Sequence, residues 1–240
     1  MKRLLFISLI ITFQLFAAAQ QITVSDSIPT EYFVTHSRSE WMQKAADLGI
    51  GIEITDSIPV VISKLESFIE SYSPQKQYPD DYYAIESIIQ TIHGFKEGGY
   101  GIGAILVDST GKIISKNHNC QIQRHRSDLH AEMTLLTDFE ETEEAKEYLN
   151  VFIYYPGLTV YSSAEPCPMC LIRLAAAGVN TKYITPGPDD GMANRIYCLP
   201  SSWRDLAYKY PCVKANSSPV LQKIAHLMFF SFLLDNRGPH

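Results

Sequence analysis

Apolar side chains recur along this chain in blocks of different period, and the period of each block predicts an element. The first block is continuous: residues 4–16 are apolar apart from Ser8, Thr12 and Gln14. Lys2 and Arg3 precede it, and Ala17, Ala18 and Ala19 follow, which is the layout of a cleaved export signal. The run falls short of the about 20 apolar residues that a membrane span needs. The expectation is an exported protein, periplasmic or secreted, with a signal peptide over residues 1–19 and no stable membrane anchor. Residues 20–57 have no firm period. Behind a cap at Asp56 or Ser57, apolar positions return at helical spacing in Val61, Leu65, Phe68, Ile69 and Tyr72. Pro74 and Pro79 then mark a linker. The chain is thus expected to divide into an N-terminal helical extension and linker over residues 20–79 and a main domain over residues 80–240.

Past that boundary the pattern sharpens. Ala84, Ile85, Ile88, Ile89, Ile92 and Phe95 make one helix face, which stops at Gly98-Gly99. Residues 102–107 and 112–116 read as two strands joined by the turn Asp108-Ser109-Thr110-Gly111. Helices are predicted over 129–139 and 168–177, the second closed by Gly178, and strands over 158–163 and 179–185. The glutamate-rich stretch 140–147 reads as a solvated helix face. Residues 186–218, rich in Pro, Gly, Asp and Asn, read as an irregular insertion, and 219–236 as a terminal helix. A hairpin followed by helix, strand, helix, strand predicts the α/β class: a three-layer α/β/α sandwich with one mixed central sheet.

Composition narrows the function. An apolar content of 46% excludes a disordered or low-complexity chain. The 20 Lys and Arg against 26 Asp and Glu give a net charge of −6. Loss of Lys2 and Arg3 with the leader would take this to −8. An acidic chain lacks the broad footprint that phosphate backbones require, so the expected partner is a small molecule and nucleic acid is argued against. Five cysteines are too few for a disulfide scaffold. Cys198 and Cys212 flank part of the insertion. Export would permit a bridge between them contributing about 3 kcal/mol; the alternative is two free thiols.

Two segments carry chemistry: His130-Ala131-Glu132 and Pro166-Cys167-Pro168-Met169-Cys170. Cys-x-x-Cys alone leaves a redox pair, a disulfide or half of a zinc site open, and His-x-Glu alone is weaker still. Together they make a ligand set. Cys167 and Cys170, three apart at a helix start, put both sulfurs on one face, and the helix N-terminus favours thiolate. His130 is the third ligand. Structural zinc sites close with four protein ligands, whereas three leave a position for water. Zn2+ lowers the pKa of that water from 15.7 toward about 7, giving hydroxide at neutral pH. Glu132 is then placed as a proton shuttle rather than a ligand.

These segments together match H-x-E…P-C-x-x-C, a pattern of zinc deaminases. Over residues 80–185 the chain resembles the cytidine deaminase-like zinc hydrolases, and most of all the branch of guanine deaminases and tRNA adenosine deaminases. Gly103-Ala104-Ile105-Leu106-Val107 is similar to that family's opening strand, and residues 159–170 to its strand-to-helix passage. The resemblance implies one zinc per chain and hydrolytic deamination of a nucleobase, nucleoside or nucleotide, with release of ammonia. It also implies a base-binding role for Asn119, pocket-lining backbone at Ala131 and Pro166, and a homodimer. Two alternatives remain: a deaminase of tRNA or single-stranded DNA, and a structural zinc-binding module without catalysis. The segment after residue 185 departs from the guanine deaminase pattern, so reaction type carries over better than substrate.

Overall fold

The computed structural model describes residues 35–152, 154–187 and 191–235. The expected leader and its cleavage site lie outside the described residues. Five strands form one mixed sheet in the order β2-β1-β3-β4-β5: β1 Gly103–Val107, β2 Ile113–His118, β3 Thr159–Ala164, β4 Asn180–Thr185 and β5 Cys212–Lys214. β1 pairs antiparallel with β2 and β3, while β3–β4 and β4–β5 are parallel. The α/β fold with a mixed central sheet is as the hydrophobic pattern predicts.

Strand alternation divides the core in two. Ala104, Leu106, Val160 and Ala164 face one side, where they pack with Leu135, Leu136 and Phe139 of α4 (Ala131–Glu140) and Leu174 of α6 (Pro168–Ala176). Ile105, Val107 and Tyr161 face the other side, against α3 (Asp81–Lys96) and α8 (Pro219–Phe229). Period-2 alternation in strands buried on both faces gives the three layers. A four-residue helix α5 (Ala145–Tyr148) occupies part of the glutamate-rich stretch.

The N-terminal segment shares this core. α1 (Arg38–Ala46) and α2 (Ile58–Ser71) bury Trp41, Met42, Ala45, Val61, Leu65 and Ile69 in the same apolar cluster as α3 and α8. The fully buried Trp41 donates its indole N–H to the Leu227 carbonyl. Burying a side chain of that size contributes roughly 3 kcal/mol, so α1 is fastened to α8 rather than merely adjacent to it. The proline-marked stretch is a short turn. Asp80 closes it, accepting from the Tyr161 hydroxyl at 2.8 Å, Lys182 Nζ at 2.9 Å and the Asn216 N–H at 2.7 Å. Residues 38–46 have only three buried positions in nine, which explains why no period stood out there.

One reading of residues 186–218 needs correction. The stretch is not irregular throughout: it holds a 3-10 turn (Ile196–Cys198), α7 (Ser201–Lys209) and the edge strand β5. A three-residue strand bounded by Pro211 has too little sequence to show alternation. Of the two alternatives for Cys198 and Cys212, the structure has the free thiols, Cys198 exposed and Cys212 buried in β5. Among the described residues no helix is long and apolar enough to cross a membrane.

A buried histidine makes the fold acid-sensitive. The His226 Nε2 lies 2.8 Å from Thr35 Oγ1, and burial, with Lys44 nearby, lowers the imidazole pKa from 6.5 to about 3. The ring is therefore neutral in the fold. Between those two values only the unfolded chain takes up the proton, so stability is retained above the upper value and lost as pH falls toward the lower one. His226→Gln, which keeps a polar partner for Thr35, removes that dependence. Urea unfolding at about pH 7 and about pH 5 should show the parent chain losing about 2 kcal/mol more than the variant.

Candidate metal centre

β2 and β3 both run antiparallel to β1, so their C-terminal ends lie at the same edge of the sheet. Each leads toward a helix whose N-cap is a candidate ligand. His130 is the N-cap of α4, with extended backbone at φ −61° and ψ 164°. Its carbonyl accepts the Thr134 N–H at 2.8 Å. Cys167 is the N-cap of α6, likewise extended, with Pro168 in the first helical turn. Its carbonyl accepts the Leu171 N–H at 2.9 Å. At an N-cap the chain has left the strand but not yet joined the helix, and proline at the first position forfeits no helical hydrogen bond. Cys170 follows on the first turn of α6 and is fully buried.

The donor atoms of His130, Cys167 and Cys170 all lie within 4.8 Å of one another. Cys167 Sγ stands 3.6 Å from His130 Nδ1. A tetrahedral zinc with about 2.3 Å to sulfur and about 2.0 Å to nitrogen sets two such ligands roughly 3.6 Å apart. The residues fit a single Zn2+. Cys167 is the thiolate of the pair: the Cys170 thiol donates to it and His130 adds to the effect, together holding it far below the usual thiol range against the cost of burial. Cys170 is pushed up by that same bond and by burial. One thiolate is thus ready to receive a cation.

Glu132, on the first turn of α4, is almost wholly buried and accepts from Ser162 Oγ of β3 at 2.9 Å. Burial raises its pKa, and the neighbouring Cys167 adds to this. A divalent cation at the donor set would act in the opposite direction. His130, Glu132 and Cys167 line a narrow cleft together with Ile102, Ala164, Glu165 and Phe229.

The three residues assigned to substrate sit differently. Asn119 is fully buried, and its amide group is engaged with Gln121 through Nδ2 to Oε1 at 2.8 Å and through the Gln121 N–H to Oδ1 at 3.1 Å. Ala131 is buried at the start of α4. Pro166 is buried too, and its carbonyl accepts the Met192 N–H at 3.1 Å. Ser162, Glu165 and Phe229 were given no site role from the sequence. Alternation along β3 places Ser162 between Val160 and Ala164 on the α4 face, a signal that could have found it. Phe229 offered none beyond its place in an apolar helix.

A family model for the cytidine and deoxycytidylate deaminase zinc-binding region matches residues 80–185. This chain carries a cytidine-deaminase-like zinc-binding fold. The tRNA-specific adenosine deaminase of Bacillus subtilis (strain 168) is 36% identical over 91 residues, which are 38% of this chain and 52% of that protein. A tRNA(Ile)-lysidine synthase of Thermus thermophilus is 28% identical over 189 residues, 78% of this chain and 34% of that one. The match thus spans about half or less of these curated relatives. A solved structure of a protein in complex with 2,6-diaminopurine shares the fold at 17% identity and a TM-score of 0.51, over 72% of this chain and 93% of that chain. Within the cytidine-deaminase-like fold, a three-ligand zinc site beside a buried carboxylate is the machinery of metal-assisted hydrolysis.

These relatives overturn the expectation that set nucleic acid aside in favour of a small molecule alone. That expectation rested on chain-average charge, and the proteins that this chain resembles include tRNA enzymes. The average also hides a local excess: residues 191–214 hold four Lys and Arg against one Asp. The same stretch exposes Tyr197, Trp203 and Tyr208.

Removing a ligand should empty the centre, while removing the carboxylate beside it should not. Zinc analysis of purified protein is expected to give about one zinc per chain for the parent and for Glu132→Gln, and less than about a tenth of that for Cys167→Ala.

Proposed function

We propose that this chain hydrolytically deaminates an amino-bearing nucleobase, and that the base is presented to it by RNA. The observation that carries the reaction is Glu132, a carboxylate buried beside three zinc ligands and oriented by the Ser162 hydroxyl. When bound by these ligands, zinc supplies a water made acidic enough to attack near neutral pH. Glu132 moves the protons. Its carboxylate takes one from the water and delivers it to the ring nitrogen next to the amino-bearing carbon, then returns a proton to the departing amino group. Water is consumed, the C–N bond breaks, a C=O bond forms, and ammonia leaves.

Ile102 and Phe229 give a planar ring apolar surface on which to lie. We assign the base edge to Asn119, whose amide Gln121 holds in place. The kinship with tRNA enzymes supports presentation by RNA, and so do the basic, aromatic residues 191–214, which offer side chains on which unpaired bases stack.

Ammonia release from an RNA hairpin with unpaired adenosines, and from free adenine, guanine and cytosine, tests both parts. The hairpin is expected to be turned over, and Glu132→Gln to lower the rate about 10²- to 10⁴-fold with zinc retained. Turnover of free bases alone rejects presentation by RNA. Silence across every substrate rejects the deaminase reading.

A further inference from the structure

The cleft holds a second buried carboxylate for which the proton chemistry above has no use. Glu165 lies between β3 and α6, two residues before Cys167, and is only 6% exposed. It is surrounded by backbone donors. The Gly187 N–H reaches Oε2 at 3.1 Å and the Ala193 N–H reaches Oε1 at 2.8 Å, with the Asn194 N–H as a further donor. The backbone on either side is tied to the same stretch, since the Glu165 N–H donates to the Thr185 carbonyl at 2.8 Å and Pro166 accepts from Met192 at 3.1 Å. Packing around the carboxylate is close: a Cβ on Gly191 would stand 2.5 Å from its Cδ and 2.7 Å from the Gly187 carbonyl oxygen. Only glycine fits there.

We propose that Glu165 is a positioning residue, whose carboxylate anchors Gly187 and residues 191–194 against the metal cleft so that this stretch forms its outer wall and tightens substrate binding. The chemistry of the donors decides the role. An ionised carboxylate is an acceptor only, and three converging N–H groups offset its burial in the way that backbone donors hold an anion. A carboxylate held at both oxygens by backbone N–H groups is fixed to the chain, which separates it from Glu132. The far side of the stretch has its own anchor. Met192 and Ile196 are buried with Leu171, Tyr183, Ala207 and Cys212, so loss of the carboxylate frees the cleft side without unfolding the segment.

Glu165→Gln tests this with almost no change of shape, because it turns an amide NH2 toward backbone N–H groups. Gly191→Ala disturbs the same contact from the opposite side. In both variants amide hydrogen exchange at Gly187 and residues 191–194 is expected to quicken at least about tenfold, with zinc still about one per chain. KM for the adenosine-bearing hairpin, or for whichever free base is turned over, should rise about tenfold while kcat changes less than about threefold. Unchanged exchange in both variants, loss of zinc, or a fall in kcat with KM unmoved would each overturn the proposal. The KM arm rests on the deaminase reading and the exchange arm does not. If the parent chain turns over none of these substrates, that reading fails, and hydrogen exchange alone decides whether Glu165 anchors the wall.

Discussion

Two helix N-termini brought together at one edge of a sheet are the constraint on which this site depends. His130 and Cys167 are both N-caps, so each side chain leaves the backbone at the point where extended chain turns into helix. Their separation is then set by where α4 and α6 lie on the sheet. That placement comes from Leu135, Leu136, Phe139 and Leu174 packing on Ala104, Leu106, Val160 and Ala164. A slip of one turn in either helix would move a ligand by about 5.4 Å, more than twice a metal–ligand bond. Core packing remote from the metal therefore decides whether three donors converge. The thiolate at Cys167 gains as well from its place at a helix N-terminus, where partial positive charge favours an anion.

The same edge of the sheet holds two buried carboxylates in different electrostatic situations. Glu132 accepts from one hydroxyl and borders the donor set, so its charge responds to the cation and to whatever occupies the cleft. Glu165 is enclosed by backbone N–H groups that cannot leave it without moving the chain. Burial alone would raise the pKa of both groups. What separates them is whether their hydrogen-bond partners are fixed, and that follows from the elements that supply the partners: a strand hydroxyl for one, a returning loop for the other.

Much of this was legible in the sequence wherever a local pattern forces one geometry. The apolar run 102–107, the β-rich run 158–163, the helical spacing in 84–95 and the ligand pair Cys167 and Cys170 each carry a local signal, and the fold follows those signals closely. Where the structure draws on distant contacts, the sequence was silent. α1 has little amphipathic signature and owes its place to Trp41 reaching α8. β5 is three residues long and exists because Thr181 and Tyr183 offer it an edge to pair with. Ser162 was visible in principle, as a small polar residue on a core-facing strand position. Glu165 was not, since its partners lie more than twenty residues away.

Charge illustrates the same limit from the side of function. A net charge of −6 is a sum over the chain, while a phosphate backbone meets only the surface within about a Debye length, roughly 8 Å at physiological salt. Part of the acidic excess is engaged inside the fold. Asp80 accepts from Lys182 and the Asn216 N–H, and Asp81 from the Ser218 N–H, both buried. Glu143 and Glu144, one paired with Lys146 and the other with Lys112, directly precede the short helix α5. The basic residues of 191–214 accompany exposed aromatic rings and share their stretch with the backbone N–H groups that hold Glu165. The field a substrate feels there is set by those neighbours rather than by the total, so an acidic chain and a polyanionic substrate are compatible as long as the two signs are kept on different parts of the surface.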